Sequence, residues 1–210
     1  MPGVPREMTA MWEERVEPEL AARAGGRFVA RTLKVLGVGE STVEEALGDL
    51  VRSSLPTVAT YAKADGVHVR IAAKGDAAAD AVARVESLVR ERLGEHVWGV
   101  DGDSLVARIG ASLEARGWRL AVRETLSAGA VSAALCEAGL PRWFAGAAIG
   151  DGPAPAADVT LEVDAAGMRV RAVARTPTGE REAQAVFDSP GEGKRRAVLV
   201  ALDALRRALG

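Results

Sequence analysis

A carboxylate and two hydroxyl groups stand close together in the stretch Glu124-Thr-Leu-Ser127, between a predicted strand and a predicted helix. Thr125 or Ser127 could supply the nucleophile for an amide hydrolysis, with the N-terminus of the helix supplying N–H donors to the developing oxyanion. A hydroxyl nucleophile also needs a neighbouring base. The cationic side chains close by in the sequence are Arg123 and Arg142, and a guanidinium stays protonated and is a poor base. The turn therefore offers a hydroxyl group without the base that would activate it.

The same turn has a structural interpretation, which we favour. Ser127 is then the N-cap of a helix over residues 128–138, and Thr125 is an ordinary turn residue. Glu124 could equally be a surface carboxylate. The small side chains of this helix suit either close approach of the backbone to a phosphate or close packing of helix on sheet, and the pattern does not separate the two. These small residues are Ala128, Gly129, Ala130, Ser132, Ala133 and Ala134.

The elements around the turn predict an α/β unit over residues 101–210. A helix with Leu105, Ile109 and Leu113 at a spacing of four ends at Gly117. The order strand, helix, strand around the turn favours a parallel pair. The predicted elements are strands over 119–123 and 144–149, a loop over 150–156, a meander of strands over 157–163, 168–175 and 182–187, and a helix over 190–209.

Residues 25–100 predict a second α/β unit, with Gly25-Gly26 as its boundary. Alternation over 28–38 indicates a half-buried strand, and Ser41 with Glu44 fits a capping box. The remaining predicted elements are a helix over 42–51, an antiparallel hairpin of strands over 57–61 and 67–73 around Asp65-Gly66, a helix capped by Asp76 and closed by Gly94, and a strand over 97–100.

Residues 1–24 predict a Pro/Gly-rich loop and then a helix that Pro18 kinks or divides. Its apolar face must be covered, either by a preceding domain or by residues 28–100. We expect residues 1–24 to be the tail of such a domain or an N-terminal arm. The apolar side chains at helical spacing are Met8, Met11, Trp12, Val16 and Leu20.

The composition excludes several classes of protein. A net charge of −2 lacks the basic surplus of a nucleic-acid-binding surface, and 48% hydrophobic residues argue against disorder. Cys136 is the single cysteine, and neither His68 nor His96 has partners at metal-ligand spacing, so we expect no disulfide, no metal and a cytoplasmic protein. No apolar run is long enough for a membrane span. Trp98, Trp118 and Trp143 are expected to anchor the core or an interface.

Three stretches together resemble the CinA family, and they are Pro2-Gly-Val-Pro-Arg-Glu-Met8, Gly37-Val-Gly-Glu-Ser41 and Glu124-Thr-Leu-Ser-Ala-Gly129. The resemblance implies two small α/β domains: a KH-type middle domain over 25–100 and a nicotinamide-nucleotide amidase-like domain with a mixed sheet over 101–210. Residues 1–24 are then the tail of a molybdopterin-binding-like domain. It also implies a homodimer.

The KH-type domain is not expected to bind nucleic acid. The Gly-x-x-Gly loop that holds RNA in such domains is absent. Basic residues that might contact a phosphate backbone are scattered along the predicted strands: Arg31, Lys34, Arg70 and Lys74.

The amidase-like domain departs from the family pattern Ala-Glu-Ser-Cys-Thr-Gly-Gly. Glu124 and Gly129 are kept, whereas Thr125 stands in place of Ser and Ser127 in place of Thr. The loop over 150–156 replaces a Tyr-bearing strand, a Lys-bearing loop and a helix, so no Tyr or Lys stands where the family places them.

We therefore expect a degenerate amidase domain with a vestigial pocket formed by Glu124, Thr125, Ser127 and Gly129. This non-catalytic protein would act as a structural, ligand-binding or assembly module, with a pyridine nucleotide as the candidate ligand and no cofactor. One alternative is an active nicotinamide mononucleotide deamidase whose rearranged site uses Ser127 and Glu124. Another is an α/β scaffold without a ligand.

Overall fold

The chain folds into two α/β units, as the sequence predicts, and each unit has its own sheet and apolar core. The computed structural model describes residues 5–23 and 27–210. The predicted boundary at Gly25-Gly26 and the first four residues of the loop predicted over 1–8 lie outside the described residues. The remainder of that loop is wrong, because Pro5–Met11 is helical. Across the part that is described, no helix combines the length and apolar character needed to cross a membrane.

Two short helices precede the first unit: α1 (Pro5–Met11) and α2 (Glu17–Arg23), joined by a π-helical turn over Trp12–Val16. The Glu17 N–H donates to the Trp12 carbonyl oxygen, and this π turn directly precedes Pro18, where the sequence predicts a kink. The apolar face stays open, because Met8, Met11, Trp12 and Leu20 are 39% to 50% exposed. Trp12 is thus not buried against residues 28–100, and the assignment of residues 1–24 to a preceding domain stays a prediction.

The sheet of the first unit has four antiparallel strands in the order β2-β3-β1-β4. Two helices pack against it and bury Val43, Leu47, Val82 and Val89. The predicted hairpin and the predicted final strand are confirmed. The elements are β1 (Phe28–Val35), α3 (Glu40–Leu47), a 3-10 turn (Gly48–Arg52), β2 (Thr57–Lys63), β3 (Gly66–Lys74), α4 (Ala78–Leu93), a 3-10 turn (Gly94–His96) and β4 (Val97–Val100).

Both predicted N-caps in this unit are wrong. Helix α3 begins at Glu40 after Gly39, so Ser41 lies inside the first turn, and Glu44 accepts a hydrogen bond from the Thr60 hydroxyl at 2.7 Å. Helix α4 begins after Ala77, and no side chain, including that of Asp76, caps it. In both cases the backbone enters the helix at a different residue from the one that the side-chain pattern indicates.

The second unit has a five-stranded mixed sheet in the order β6-β5-β7-β8-β9. Strand β5 pairs in parallel with both neighbours, which confirms the predicted parallel pair, and β7, β8 and β9 form an antiparallel meander. Helix α7 packs on β8 and β9, and α5 and α6 pack on α7. The elements are α5 (Leu105–Arg116), β5 (Leu120–Glu124), α6 (Ala130–Leu135), β6 (Phe144–Ile149), β7 (Val159–Ala166), β8 (Arg169–Thr176), β9 (Gly179–Val186) and α7 (Pro190–Leu209).

The face of this sheet that points away from α7 is charged and internally paired. Arg175 contacts Glu162 at 2.7 Å and Glu180 at 2.8 Å, and Arg171 contacts Glu182 at 2.7 Å. This face of the sheet is therefore a polar surface. This face does not supply the apolar area that would favour dimer formation.

The two units are in direct contact. Leu36 and Trp98 come from the first unit, yet both are buried in the core cluster of the second. The Arg206 guanidinium donates to the Glu95 carbonyl oxygen at 2.7 Å, which joins α7 to the first unit. Gly37 has φ +85°, and a Cβ there would lie 2.9 Å from Asp203 Oδ2, so the turn Gly37-Val-Gly-Glu-Ser41 fits against α7 only with glycine.

Candidate functional site

Glu124 is the centre of the predicted site, and it is fully buried. Its period-two position in β5 places it on the same face as Leu120 and Val122, toward the core. The carboxylate accepts hydrogen bonds from the Ser127 hydroxyl, the Ser132 hydroxyl and the backbone N–H groups of Val131 and Ser132, the last two at 3.0 Å. The carboxylate therefore joins the end of β5 to the turn and to the first residues of α6. The prediction that Glu124 is a surface carboxylate is wrong.

The hydrogen bonds outweigh the effect of burial on this carboxyl group. Burial by itself raises the pKa of Glu124, whereas the hydroxyl donors of Ser127 and Ser132 and the backbone N–H donors lower it, and the net pKa is below the ordinary value. A carboxylate with a lowered pKa and four donors has little tendency to take up a proton from a serine hydroxyl. Glu124 is therefore poorly suited to act as the missing base.

The other predicted site residues have structural contacts. The Thr125 backbone N–H donates to the Val163 carbonyl oxygen at 3.1 Å, which extends the pairing of β5 with β7. Ser127 is 1% exposed and is not the N-cap, since Gly129 precedes the first residue of α6 and has φ +92°. A Cβ on Gly129 would lie 3.1 Å from Ile149 Cδ1, which favours close packing over phosphate approach. The helix is also shorter than predicted, ending at Leu135.

The structure thus brings Glu124 and Ser127 together and turns Thr125 away to β7. It adds Ser132, whose small side chain predicts either close approach to a phosphate or close packing, and not a hydrogen bond to Glu124. A sequence signal for Ser132 does exist. Ser127 and Ser132 lie on either side of the start of a helix, and this helix follows a strand that ends in a core-facing glutamate.

Three cavities of the described chain lie elsewhere. These cavities, with volumes of about 610, 620 and 520 Å³, are lined by other residues than Glu124, Thr125, Ser127 and Gly129. Within residues 5–23 and 27–210, no group of three His, Cys, Asp or Glu side chains could hold a metal ion. Cys136 is half-buried, and burial raises the pKa of its thiol, so it is not an activated nucleophile.

Comparison with known proteins finds a family match in the first unit. Residues 30–99 match the model of the damage-inducible protein CinA KH domain. A CinA-like protein of Thermomicrobium roseum is 45% identical over 141 residues, which cover 65% of this chain and 35% of that protein. A CinA-like protein of Deinococcus radiodurans is 44% identical over 140 residues, 65% of this chain and 34% of that protein. The chain thus spans about a third of the length of the curated relatives it matches.

Solved structures of CinA superfamily proteins cover half of this chain. One from Klebsiella pneumoniae aligns with a TM-score of 0.42 and 18% identity over 50% of this chain and 95% of that one. A competence or damage-inducible protein from Enterobacter asburiae aligns with a TM-score of 0.43 and 15% identity over 50% of this chain and 96% of that one. Residues 30–99 thus match a CinA KH domain, and the sequence similarity to CinA-like proteins extends over 65% of this chain.

Proposed function

We propose that this CinA-like chain does not hydrolyse amides and that its second unit is a degenerate amidase domain kept as a structural, ligand-binding or assembly module. The observation that carries the proposal is the closed Glu124 turn, in which carboxylate and Ser127 hydroxyl are both buried and satisfy each other. An amide substrate would have to open this turn to reach the hydroxyl. It would also meet no free base there.

The absence of Lys and Tyr from this part of the fold supports the same conclusion. Tyr61 and Lys63 lie in β2 of the first unit, and Lys194 lies in the first half of α7. Arg123, the nearest cation in sequence, lies 3.4 Å from Glu162 on the opposite face of β5 from Glu124. Loss of one member of a nucleophile–base unit costs several orders of magnitude in rate.

Release of ammonia from nicotinamide mononucleotide tests this proposal. We expect the wild-type chain to be no faster than the double variant Thr125→Ala/Ser127→Ala, with circular dichroism to establish that the variant is folded. The variant Ser87→Ala removes an exposed hydroxyl on α4 and serves as the control. Wild-type turnover near about 1 per second that is lost in the double variant and kept in the control would disprove it, since this is an ordinary enzyme rate.

One contact favours the alternative of an active deamidase with a rearranged site. The Ser127 hydroxyl donates to Glu124, which is the connectivity of a nucleophile with its base. In that case Glu124→Gln would abolish ammonia release while pyridine nucleotide binding, measured by thermal shift, remained.

We also propose that the chain forms a homodimer, as its resemblance to the CinA family implies. Large apolar side chains at the end of the second sheet are available for such a contact, with Leu140 79% and Ile149 63% exposed. We expect light scattering at micromolar concentration to give twice the 21.9 kDa of one chain. A single species of one chain mass would rule the dimer out.

A further inference from the structure

A cavity of about 520 Å³ lies where the C-terminal end of α7 meets α5 and the first unit. Its lining includes five arginine side chains and one acidic side chain, that of Glu95. This cavity shares no residue with the Glu124 turn. Its volume is in the range of small-molecule sites, which is about 300–1,000 Å³. The five arginines are Arg108, Arg116, Arg181, Arg206 and Arg207.

Three of these arginines form ion pairs or hydrogen bonds within the protein. Arg206 contacts Asp203 at 2.6 Å, and Arg207 contacts Asp203 at 3.2 Å and Glu95 at 3.4 Å. Arg116 donates to the Leu209 carbonyl oxygen at 2.7 Å, at the end of α7. These contacts fix the wall of the cavity and its positive charge.

The other two arginines have little or no compensation by carboxylates. Within the described ranges, the ion pairs of Arg108 are limited to a long contact with Asp103, at 3.8 Å. The one polar side-chain contact of Arg181 among the described residues is a hydrogen bond to the neighbouring Glu180 carbonyl oxygen. Both guanidiniums therefore keep N–H donors free beside the cavity.

A buried donor without an acceptor lies in the same wall. Trp98 is 5% exposed, it lines the cavity, and its indole N–H has no hydrogen-bond partner among the described residues. A buried N–H without an acceptor is destabilising unless water or a ligand supplies one. This observation is independent of the arginine charges and calls for the same chemistry, a group that accepts hydrogen bonds.

We propose that this cavity binds a phosphate-bearing small molecule, with Arg108, Arg181 and the Trp98 indole as donors to it. A phosphate group supplies several acceptor oxygens and negative charge, which is what guanidinium forks recognise. The donors come from both units, since Trp98 lies in β4 and Arg181 in β9. Binding would therefore also hold the two units together, and it does not depend on any activity of the Glu124 turn.

Isothermal titration calorimetry of the full chain at low ionic strength tests the proposal, with inorganic phosphate, pyrophosphate and nicotinamide mononucleotide as probes. We expect at least one probe to bind with a Kd below about 1 mM and binding to weaken with added salt. Arg181→Gln and Arg108→Gln should each weaken it roughly tenfold, the loss expected for one charge-assisted hydrogen bond. Trp98→Phe should weaken it and keep the aromatic packing.

The matched control is Arg84→Gln, which removes the same charge from an exposed position on α4 away from the cavity. Binding to this variant should equal that of the wild type. Failure of all three probes to bind at millimolar concentration, or equal weakening by Arg84→Gln and Arg181→Gln, would overturn the proposal.

Discussion

Glu124, the last residue of β5, accepts the hydrogen bonds that hold the following turn in place. A charged group that is fully buried is stable only if hydrogen bonds replace the water it loses, and four donors do so here. The alternation in β5, extended by one residue, indicates that Glu124 faces the core with Leu120 and Val122. The predicted strand ends at residue 123, one residue short of β5, so its alternation does not include Glu124.

We predict that Glu124→Gln lowers the free energy of unfolding by roughly 2–3 kcal/mol at pH 7, because the amide N–H₂ meets donors where the carboxylate accepted them. The lowered pKa sets the pH dependence. The stabilisation by the ionised Glu124 carboxylate is complete above the unfolded-state pKa of about 4.3. It is lost as the pH falls through the lower folded-state pKa. Urea unfolding from pH 7 to pH 3 should therefore show the difference between wild type and variant shrinking with acidification. A difference that stayed constant would contradict the ionised, hydrogen-bonded carboxylate.

At the scale of elements, the sequence predicts where strands and helices lie much better than how they begin. The core positions of α4 and α7 follow from apolar spacing, because burial repeats along the whole helix. A cap depends on the backbone angles of one residue. Gly39, extended at φ −80° and ψ 164°, begins α3 before Ser41 is reached. The meander strands are placed within a few residues, since their turns contain Gly167 and Pro177.

We predict that Ser104→Ala costs about 1 kcal/mol of stability and that Ser41→Ala changes it by less than about 0.5 kcal/mol. Ser104 is the N-cap of α5, and its hydroxyl accepts from the Ala107 N–H at 3.3 Å. Ser41 is exposed and caps nothing. Chemical denaturation of the two variants side by side measures both values. A larger loss from Ser41→Ala would support the capping box that the sequence suggests.

At the scale of the molecule, the two units pack against each other, although the sequence predicts two separate domains. The domain limits at 24/25 and 100/101 stay predictions, and the match to the KH family over 30–99 lies within the middle one. Apolar periodicity cannot reveal that Leu36 and Trp98 pack into the second core, because it reports which face is buried and not against which unit. Gly37 is the local signal of this contact, since its positive φ and its closeness to Asp203 both require glycine.

We predict that the two units unfold in a single calorimetric transition, because Leu36, Trp98 and the Arg206–Glu95 hydrogen bond connect them. Leu36→Ala should lower the free energy of unfolding by about 2–4 kcal/mol and split the transition into two, since it opens a cavity at the contact between the units. Leu50→Ala is the matched control, as Leu50 is buried within the first unit alone. It should destabilise the protein by a similar amount. In that variant the drop in stability should appear without the splitting, because the interface is intact. Two transitions in the wild type, or one in Leu36→Ala, would show that the units are not coupled through this contact.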